Sequence, residues 1–460
     1  MRDALLAANT RSENYVTRLS MDNVDLVVEA RWVVPVEPRG RVLEHHAVVI
    51  DDGRISAILP RSEARSRYTA AEQVNCPDHV LMPGLINAHT HAAMTLFRGM
   101  ADDMHLQEWL EQHIWPAESR WSGVDFVRDG TDLAILEMIT GGTTCFQDMY
   151  FFPDVVAQAA VERHMRAVVG MIFVDHPTSW ARDSEEYFSK GLAVHDQYKN
   201  HALVHTNFAP HAPYTVGNET FQRMRMLADE LDVQIHIHLH ETETEVNTAV
   251  ATHGRRPIER MSELGLVTPS LSAVHMTQLT DVEISLLAEQ GVSVVHCPQS
   301  NLKLASGFCP VARLLEAGVN VALGTDGAGS NNDLDMFGEM RTAALLAKGV
   351  AGDAAVVSAQ EALAMATING ARALGLAHEI GSLEAGKSAD MIAVDLNAAA
   401  SQPVYQPISQ LVYSVSRDQV SDVWVAGQPL LRNHRLSLDN QAEILERAAA
   451  WQERLSASDA

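Results

Sequence analysis

The feature that most constrains the fold is a regular alternation of two kinds of segment between residues 81 and 326. Short apolar runs with the length of a buried strand are separated by longer stretches with the apolar spacing of an amphipathic helix. Eight such runs occur, at Leu81–Ala88, Thr143–Met149, Ala167–Val174, Leu203–Ala209, Val233–His240, Leu271–Met276, Val292–Cys297 and Val319–Asp326. Eight strands that alternate with helices predict an α/β fold, a (β/α)8 TIM barrel whose chemistry lies at the C-terminal strand ends.

The two ends of the chain follow a different pattern. Short β-rich runs broken by turn signals, such as the hairpin signal Asp52-Gly53, extend to about residue 80 and return after Gly381. We predict that the two pieces pack together as one small β-sandwich domain. The predicted organisation is an N-terminal extension (1–20), a composite β-sandwich domain (21–80 and 386–440), the barrel domain (81–385) and a C-terminal helix or tail (441–460).

Charge and cysteine content argue against several classes of function. The formal net charge of −25 disfavours nucleic acid or an anionic membrane as a partner, because both require a basic surface. The four cysteines show no CxxC spacing, which favours a reducing compartment over a disulfide framework. No apolar run has the length of a membrane span, and no signal-peptide core is present. We therefore expect a cytoplasmic enzyme, either a homodimer or a homotetramer.

Two histidines close the first strand-like run, in the stretch Met82-Pro-Gly-Leu-Ile-Asn-Ala-His-Thr-His91. Side chains two apart in a strand point the same way, so His89 and His91 should project side by side. Neutral imidazole is a preferred ligand of zinc and similar ions. Neighbouring histidines are also common by chance in a chain with 21 of them. The prediction of a metal site therefore depends on further ligands from other strand ends.

Other strand-like runs supply such side chains. They are His236, His238 and His240 on one face of the fifth run, His275 at the end of the sixth, and Asp326 at the end of the eighth. Each of them alone is more often a hydrogen-bonded core group, but all of them at one rim of a barrel indicate a common site. We predict a mononuclear centre with an open position for water and the ligands His89, His91, His238 and Asp326. One Zn²⁺ per subunit is expected, with Fe²⁺ or Mn²⁺ as alternatives.

Two further residues are candidates for catalysis near this centre. Glu241 lies three residues beyond His238, and a carboxyl there would act as a general acid towards a substrate nitrogen. The alternative is a solvated charge, because Glu243 and Glu245 follow in the same acidic loop. His275 is either a residue that holds or polarises the attacking water or a satisfied core histidine.

A binuclear site and a zinc site with cysteine ligands are the competing interpretations of the metal site. Related binuclear hydrolases bridge their ions with a carboxylated lysine at the end of the fourth strand, but Leu203–Ala209 contains no lysine. The H-x-E motif paired with P-C-x-x-C, which other zinc deaminases use, is also absent from the sequence. A single metal ion is therefore favoured.

The sequence resembles the amidohydrolase superfamily, and within it the branch that contains 5-methylthioadenosine/S-adenosylhomocysteine deaminases. The resemblance covers most of the chain, from about Asp25 to Arg432. The matching motifs are Pro83-Gly-Leu-Ile-Asn-Ala-His-Thr-His-Ala-Ala-Met-Thr-Leu-Phe-Arg-Gly99, Trp109-Leu110 with Trp115-Pro-Ala-Glu118, Ala209-Pro-His-Ala-Pro-Tyr214, His238-Leu-His-Glu241, His296-Cys-Pro-Gln-Ser-Asn-Leu-Lys-Leu304, and Leu323-Gly-Thr-Asp-Gly327 followed by Ser330-Asn-Asn332. The metal motifs are specific for the superfamily, whereas the substrate motifs are less specific.

The resemblance implies zinc-dependent deamination of an adenine nucleoside, with the four predicted ligands binding the ion. Asp326 would also take a proton from the attacking water, Glu241 would protonate the purine ring nitrogen, and His275 would help stabilise the incoming oxygen. Each of these implied roles requires the side chain to lie at the barrel rim, close to the metal.

The same resemblance implies a set of substrate contacts. Glu118 matches the residue that accepts hydrogen bonds from both ribose hydroxyls, although a helix-surface acid would look the same. His211 matches a substrate-contacting histidine, which by itself would be only a loop histidine. Arg182 is a weak match to an arginine that binds the carboxylate of S-adenosylhomocysteine. Ser330, together with Glu241 and Asp326, completes the implied set.

One departure from the family pattern concerns the choice of substrate. Family members that accept S-adenosylhomocysteine carry an arginine near the end of the third strand, and the matching position here is Met171. A thioether side chain suits a methylthio group better than a zwitterion. We therefore expect 5′-methylthioadenosine, together with adenosine, to be preferred over S-adenosylhomocysteine.

The sequence thus predicts a zinc aminohydrolase that converts an adenine nucleoside, foremost 5′-methylthioadenosine, to its inosine counterpart and ammonia. The alternative enzyme is a deaminase or chlorohydrolase of another amino-heterocycle, such as guanine or a triazine, because loops set the substrate on a shared barrel. The alternative outside the enzymes is a non-catalytic scaffold of the same fold. That alternative predicts a missing ligand or a missing Glu241, and none is missing.

Overall fold

The computed structural model describes residues 21–104, 106–438 and 440–457. The predicted extension at residues 1–20 lies outside the described residues. Within the described part, the strands form two eight-stranded sheets, one from both ends of the chain and one from its middle. The sheet from the middle of the chain is called the barrel sheet below, and the sheet from both chain ends is called the terminal sheet.

The strands of the described residues are numbered in chain order. They are β1 (Asp22–Val33), β2 (Leu43–Asp51), β3 (Arg54–Pro60), β4 (Tyr68–Pro83), β5 (Leu85–Thr90), β6 (Thr143–Asp148), β7 (Arg166–Phe173), β8 (Val204–Pro210), β9 (Ile235–Leu239), β10 (Leu271–His275), β11 (Ser293–His296), β12 (Asn320–Leu323), β13 (Met391–Asp395), β14 (Val420–Val425), β15 (Gln428–Arg432) and β16 (Arg435–Leu436).

The helices of the described residues are numbered in the same way. They are α1 (Arg61–Arg67), α2 (Leu106–Glu108), α3 (Trp115–Trp121), α4 (Val124–Thr140), α5 (Pro153–Glu162), α6 (Ser184–Tyr198), α7 (Asn218–Leu231), α8 (Glu243–His253), α9 (Pro257–Glu263), α10 (Asp281–Gln290), α11 (Pro298–Lys303), α12 (Val311–Glu316), α13 (Met336–Ala351), α14 (Ala359–Met365), α15 (Ile368–Ala373), α16 (Pro407–Tyr413) and α17 (Gln441–Ser456). A 3₁₀ helix spans Ala92–Phe97, and a π-helical stretch spans Trp109–Ile114.

The middle of the chain forms the barrel. Strands β5 to β12 lie next to one another in chain order and are paired in parallel. The two edge strands meet where the backbone N–H of Asp326 donates to the His89 carbonyl oxygen at 3.0 Å. The predicted (β/α)8 barrel is confirmed, and each predicted strand-like run overlaps one barrel strand. Both chain ends form one separate unit as predicted, and the domain predicted as a β-sandwich is a single eight-stranded sheet.

The first barrel strand begins four residues later than predicted, at Leu85. Residues 81–83 belong instead to β4, where they pair with β13 of the terminal sheet. Gly84 separates the two strands, and a Cβ atom at this position would collide with the Thr144 side chain. The chain therefore passes from the terminal sheet into the barrel at a residue that must lack a side chain.

The terminal sheet has the strand order β16-β15-β14-β13-β4-β1-β2-β3. Strand β4 lies at the junction, parallel to β1 from the N-terminal part and antiparallel to β13 from the C-terminal part. The predicted hairpin joins β2 to β3, with φ of 49° at Asp52 and 72° at Gly53. Trp424 is fully buried in an apolar cluster that also contains Leu26 and Val28. The exact division of the chain into domains stays a prediction.

Apolar spacing in the sequence predicts helices over Asn218–Leu231 and Asp281–Gln290, and α7 and α10 have these bounds. The spacing also predicts one helix over Ala359–Leu374, but two helices occur there, α14 and α15, because Thr367 between them has φ of −134° and ψ of −99°. Apolar spacing continues across this break, so the sequence pattern did not reveal it. No helix among the described residues is both long enough and apolar enough to cross a membrane.

A buried ion pair ties the barrel to the terminal sheet. Arg166 opens β7 and donates from Nε to Asp390 Oδ2 at 2.7 Å and from Nη2 to Asp390 Oδ1 at 3.1 Å. The Ser388 hydroxyl also donates to Asp390 Oδ1, at 2.6 Å. Burial alone would raise the pKa of Asp390, but the charge and hydrogen bonds of Arg166 hold it below its usual range. The ionised form of Asp390 is therefore favoured over the protonated form more strongly in the folded chain than in the unfolded chain.

Replacement of Asp390 by asparagine should destabilise the fold, because it leaves the buried Arg166 charge without its partner. We expect the free energy of unfolding to fall by about 3–5 kcal/mol. The variant should show the whole of this loss in unfolding free energy above about pH 4, which is the pKa of aspartate in the unfolded chain. It should shrink as the pH falls through the lower folded pKa, where the wild-type carboxyl is protonated as well. Urea unfolding followed by circular dichroism at several pH values measures both effects.

The matched control is Asp196→Asn, which removes the carboxylate of an exposed pair with Lys199 at 3.0 Å. Exposed pairs contribute only about 0–1 kcal/mol, so this variant should unfold close to the wild type. Equal destabilisation by the two substitutions would contradict the role assigned to the Arg166–Asp390 pair.

Candidate metal centre and active site

Four side chains converge at the C-terminal rim of the barrel. They are His89 and His91 at the end of β5, His238 of β9, and Asp326 after β12. One potential ligand atom of each lies within 4.8 Å of those of the other three. The Nε2 atoms of His89 and His238 are 3.2 Å apart, and Asp326 Oδ1 is 3.2 Å from His91 Nε2. Tetrahedral zinc with bonds of about 2.0–2.1 Å separates its ligand atoms by roughly 3.3 Å, so the geometry fits one ion.

The backbone brings the loop after β12 very close to β5 at this rim. A Cβ atom at Gly324 would lie 2.7 Å from the backbone nitrogen of His89, so a side chain there would push the two segments apart. Two residues later, Asp326 has φ of 63°, in the left-handed region that few residues other than glycine adopt. Glycine at 324 and the turn at 326 together place the carboxylate beside the histidines of β5.

Two of the histidines are oriented through their second ring nitrogen by a backbone carbonyl. His91 Nδ1 lies 2.5 Å from the Met149 oxygen, and His238 Nδ1 lies 2.8 Å from the His211 oxygen. A carbonyl only accepts hydrogen bonds, so each Nδ1 carries the proton and donates it. In the neutral form of each ring, Nε2 is then the unprotonated nitrogen and is able to bind a cation, which is the arrangement that histidine ligands require.

The third histidine, His89, is held by another ring. Its Nδ1 lies 2.8 Å from Nε2 of His236, and the two rings stack with centroids 5.0 Å apart. Burial lowers the pKa of His89 to about 4 and that of His238 well below its usual value, so both are neutral. Burial also lowers the pKa of His91, but Asp326 outweighs it and raises the value to about 9. A metal ion at this site therefore competes with a proton on His91.

The carboxylate of Asp326 is fixed by three hydrogen bonds. Oδ2 accepts from the hydroxyls of Ser300 at 2.6 Å and Ser330 at 2.8 Å, and Oδ1 accepts from the Gly327 backbone N–H at 2.8 Å. Burial would raise the pKa of this group, but the hydrogen bonds and charges of the β5 histidines hold it well below the usual value. Asp326 is therefore an anionic ligand with a fixed orientation.

Glu241 and His275 lie beside the four candidate ligands. Glu241 Oε2 is 3.9 Å from His275 Nε2, and His275 Nδ1 is 2.9 Å from Oδ1 of Asn301. Burial and the charge of Asp326 raise the pKa of Glu241, against the lowering effect of His275 and of a hydrogen bond from Ser306. A carboxyl with a raised pKa holds a proton closer to neutral pH, which is what a general acid needs.

His240 departs from the predicted row of three histidines. Strand β9 ends at Leu239, and His240 adopts φ of 52°, which turns its ring away from the other two. Its Nδ1 lies 3.0 Å from the Gln278 carbonyl oxygen, and its Nε2 accepts from the Ile258 backbone N–H at 3.1 Å. The prediction that His240 shares a face with His236 is wrong, because strand alternation stops where the strand ends.

The structure brings Glu118 and His211 close to the metal ligands. Glu118 lies in α3, and burial raises its pKa to about 7, although a hydrogen bond from Tyr150 and the nearby His91 lower it. His211 follows β8, and its carbonyl orients His238. Burial, with a smaller effect of His91, lowers the pKa of His211 to about 3, so its ring is neutral. Substrate binding by these two residues stays a prediction.

Arg182 and Ser330 make contacts other than those predicted. The Arg182 side chain is 83% exposed and pairs with Glu186 at 2.8 Å, along a surface groove of about 960 Å³. Ser330 is buried and donates its hydroxyl hydrogen towards Asp326. Ser330 therefore orients a ligand, and a substrate contact by either residue stays a prediction.

The expected methylthio preference was based on Met171, and the structure places this side chain on the helix-facing side of β7. Side chains alternate between the two faces of β7. A Cβ atom at Gly170 would lie 3.4 Å from Nε2 of Gln147, on the neighbouring strand β6. Met171 points the other way and packs against α6, with its Sδ 3.6 Å from the Cβ position of Gly191. A shift of one residue moves a strand side chain to the opposite face, and a motif match does not show which face is taken.

Sequence reasoning did not predict which groups orient the candidate ligands. They are the side chains of His236 and Ser300 and the backbone carbonyls of Met149 and His211. Ser300 belongs to the motif His296–Leu304, and His236 precedes a ligand by two residues, so both had a signal in the sequence. Carbonyl groups leave no such signal, because every residue has one.

Comparisons with known proteins agree with this geometry. The family model described as "Amidohydrolase family" matches residues 80–430. A 5-methylthioadenosine/S-adenosylhomocysteine deaminase from Teredinibacter turnerae is 51% identical over 434 residues, which cover 94% of this chain and 98% of the relative.

Solved structures give the same result. An adenosine deaminase from Xanthomonas campestris with bound zinc has a TM-score of 0.94 and 53% identity, and the match covers 95% of this chain and 100% of that chain. An atrazine chlorohydrolase from Arthrobacter aurescens complexed with zinc has a TM-score of 0.86 over 93% of this chain and 100% of that chain. Its identity is 24%, so it shares the fold alone. With a family model over most of its length and relatives above 50% identity, this chain belongs to the amidohydrolase family.

Proposed function

We propose that this protein is a zinc-dependent aminohydrolase that converts an adenine nucleoside, foremost 5′-methylthioadenosine, and water to the inosine counterpart and ammonia. The observation that carries the proposal is the convergence of three imidazoles and Asp326 on one point at the barrel rim. Glu241 lies next to that point with a raised pKa, as a proton donor for a ring nitrogen would. The deaminase relative at 51% identity supports the reaction class.

The donor set supports zinc as the ion. Three imidazole nitrogens and one carboxylate oxygen are typical zinc ligands. The site keeps His89 and His238 neutral and Asp326 anionic, and an ion would displace the proton of His91. The zinc in the adenosine deaminase structure at 53% identity supports the same choice, with Fe²⁺ and Mn²⁺ as alternatives. A metal ion bound here would lower the pKa of a water from ~15.7 towards ~7 and so supply a nucleophile at neutral pH.

The side chains around the ion divide the proton transfers. Asp326 accepts a proton from the attacking water, which adds to C6 of the purine. Glu241 donates its proton to the adjacent ring nitrogen, so that negative charge does not build up on the ring. His275, fixed by Asn301 at 2.9 Å, stabilises the incoming oxygen. The C6–N bond then breaks, and the amino group leaves as ammonia with the proton that Asp326 took from the water. The hydroxyl proton that remains on the oxygen passes to Glu241, which forms the C6 carbonyl and restores the acid.

The position of Glu118 and the names of the relatives both support a nucleoside as the substrate. A carboxylate offers two acceptor oxygens to the two ribose hydroxyls, and Glu118 is held near His91, so we infer that it binds the sugar. Since Met171 packs against α6, it gives no support for a methylthio preference. 5′-Methylthioadenosine stays the first substrate to test, with adenosine and S-adenosylhomocysteine beside it.

We further infer a homo-oligomer in a reducing, cytoplasmic setting. All four cysteines are free and buried, which supports a compartment that keeps thiols reduced. Closed symmetric dimers are the commonest assemblies of soluble enzymes, and a tetramer is the alternative.

A substrate panel tests the proposed reaction directly. The purified protein with about one equivalent of zinc should release ammonia from 5′-methylthioadenosine, adenosine and S-adenosylhomocysteine, because all three present the same adenine and ribose. Guanine and a chlorotriazine should give no product, since neither offers a ribose to Glu118. Ammonia release, chloride release from the chlorotriazine and metal content are measured on the same sample. Turnover of the chlorotriazine or guanine alone would replace the proposed function with the alternative enzyme.

Glu241→Gln should abolish most of the activity while leaving the metal in place. An amide keeps the shape of the side chain but has no acidic proton to give, so kcat should fall by about 10²–10⁴. Steady-state kinetics with adenosine and zinc analysis of the variant provide the measurement. Glu243→Gln is the matched control, because Glu243 is exposed at the start of α8, and its kcat should equal that of the wild type. Retained activity in Glu241→Gln would rule out its role as the acid.

Ser300→Ala should weaken metal binding through Asp326. The variant loses the 2.6 Å hydrogen bond that fixes Oδ2, and such a loss costs roughly 10- to 100-fold in metal affinity or activity. Competition with a chromogenic chelator measures zinc affinity directly. The control is Ser285→Ala, an exposed serine in α10 whose hydroxyl donates only within its own helix. Unchanged zinc affinity in Ser300→Ala would show that this hydroxyl does not support the ligand.

A further inference from the structure

We propose that Glu339 is a positioning residue for the metal centre, which fixes the two chain segments whose serine hydroxyls hold the Asp326 carboxylate and so strengthens binding of the cation. The inference rests on the proposed function, because it assumes that Asp326 binds the ion. Glu339 lies in the first turn of α13, and its side chain is fully buried.

One oxygen of Glu339 holds the start of α11, the helix that carries Ser300. The Gln299 backbone N–H donates to Glu339 Oε2 at 3.2 Å. The side chain of Gln299 also reaches α13, where its Nε2 donates to the Thr342 hydroxyl at 3.2 Å. The next residue along the chain is Ser300, whose hydroxyl donates to Asp326 Oδ2 at 2.6 Å. Helix α11 is therefore tied to α13 immediately before the serine that supports the ligand.

The other oxygen of Glu339 holds the loop after β12, which carries Ser330. The side-chain amide of Asn331 donates to Glu339 Oε1 at 2.5 Å and to the Thr325 carbonyl oxygen at 2.7 Å. The residue before Asn331 is Ser330, whose hydroxyl donates to Asp326 Oδ2 at 2.8 Å. Asn331 thus connects Glu339 to the residue that precedes Asp326 and to the second serine that supports it.

The two serines act on one carboxylate oxygen and share one anchor. They come from segments that follow different strands, β11 and β12, yet both hydroxyls reach Asp326 Oδ2. An anchor common to both segments fixes the distance between the hydroxyls, and Oδ1 is then left facing His91 Nε2 at 3.2 Å. Without the anchor, each segment could move separately and Oδ2 would lose a donor. The carboxylate would then be less well oriented for a cation.

Packing alone does not account for a carboxyl group at this position. Both groups that donate to Glu339 are uncharged, and a buried carboxyl without a cationic partner is costly. An apolar side chain would fill the same space without that cost, but it could accept neither hydrogen bond. The two hydrogen bonds are therefore the feature that a substitution should remove.

The first experiment compares zinc binding by Glu339→Gln and by the wild-type protein. A carboxyl oxygen accepts hydrogen bonds in either protonation state, whereas the amide nitrogen of glutamine only donates, so one of the two segments loses its acceptor. Zinc affinity, measured by competition with a chromogenic chelator, should fall about tenfold, the lower end of the effect expected for groups behind a metal ligand. Unchanged zinc affinity in the variant would overturn the proposal.

Glu29→Gln is the matched control for loss of a buried carboxyl. Glu29 is fully buried in the terminal sheet, where it accepts from Arg65 at 2.6 Å and from Gln73 at 2.9 Å. Its replacement should lower the urea concentration at half-unfolding and leave zinc affinity unchanged. An equal loss of zinc affinity in Glu29→Gln and Glu339→Gln would show that lower stability alone produces the effect, and would overturn the proposal.

A mutant cycle tests whether Glu339 acts through the serines. In a background with both Ser300→Ala and Ser330→Ala, Glu339→Gln should change zinc affinity by less than twofold, because the hydroxyls that it positions are gone. The shift of the urea midpoint caused by Glu339→Gln should be the same in both backgrounds, since the hydrogen bonds of Glu339 itself are lost in each.

The background with Ser300→Ala alone decides the question if the combined variant does not fold. There the loss of zinc affinity on Glu339→Gln should be smaller than in the wild-type background, because only one of the two supported hydroxyls remains. An equal loss in every background would overturn the proposal, since Glu339 would then act on the metal centre by another route.

The same samples distinguish failure of this inference from failure of the proposed function. A wild-type protein that deaminates adenosine while Glu339→Gln keeps its zinc affinity overturns the inference alone. A wild-type protein that binds zinc but deaminates no nucleoside overturns the proposed reaction, while a loss of zinc affinity in Glu339→Gln still supports the inference. A wild-type protein that binds no zinc overturns both.

Discussion

The site depends on the close approach of the last barrel strand to the first. The Asp326 N–H donates to the His89 carbonyl at 3.0 Å, and two hydrogen bonds between Asn87 and Thr325 join the same segments. These contacts bring a carboxylate to the two histidines at the end of β5. The approach is possible because residue 324 is glycine, whose Cβ would otherwise lie 2.7 Å from the His89 nitrogen. Two chain segments more than 230 residues apart in sequence thus form one half of the metal centre.

A buried cluster of this kind is stable only if its charges and hydrogen bonds are satisfied. Moving a carboxylate out of water is costly unless it is paired or bound to a cation. Two serine hydroxyls and a backbone N–H reduce this cost for Asp326, and carbonyl groups fix the proton position of His91 and His238. The supporting groups come from loops after four different strands. The ligand geometry is therefore a property of the whole rim and is preorganised for a cation.

Sequence predicted the parts of the fold that depend on periodicity and on residue type. Eight apolar runs gave the barrel, and four metal-binding side chains at run ends gave the candidate ligands that the structure brings within 4.8 Å of one another. Periodicity did not locate the start of β5, because residues 81–83 are as apolar in the terminal sheet as they would be in the barrel. The boundary lies instead at Gly84, where a Cβ atom would collide with the Thr144 side chain. That close approach is a property of the folded chain.

The other failures have the same origin in tertiary structure. His240 continues the alternation in sequence, but the strand ends one residue earlier, and a positive φ turns the ring away. Met171 occupies the expected place in the motif, yet it lies on the helix-facing side of β7. The supporting carbonyls of Met149 and His211 could not be foreseen from residue type at all. Sequence reasoning thus named the candidate groups, and the structure shows which contacts hold them in place.

The most direct test of the metal centre is a crystal structure of the zinc-loaded protein with anomalous data collected on both sides of the zinc absorption edge. A single peak should appear about 2.0–2.2 Å from Nε2 of His89, His91 and His238 and from a carboxylate oxygen of Asp326. Two peaks at the rim, or one peak that does not contact Asp326, would contradict a mononuclear centre formed by these four side chains.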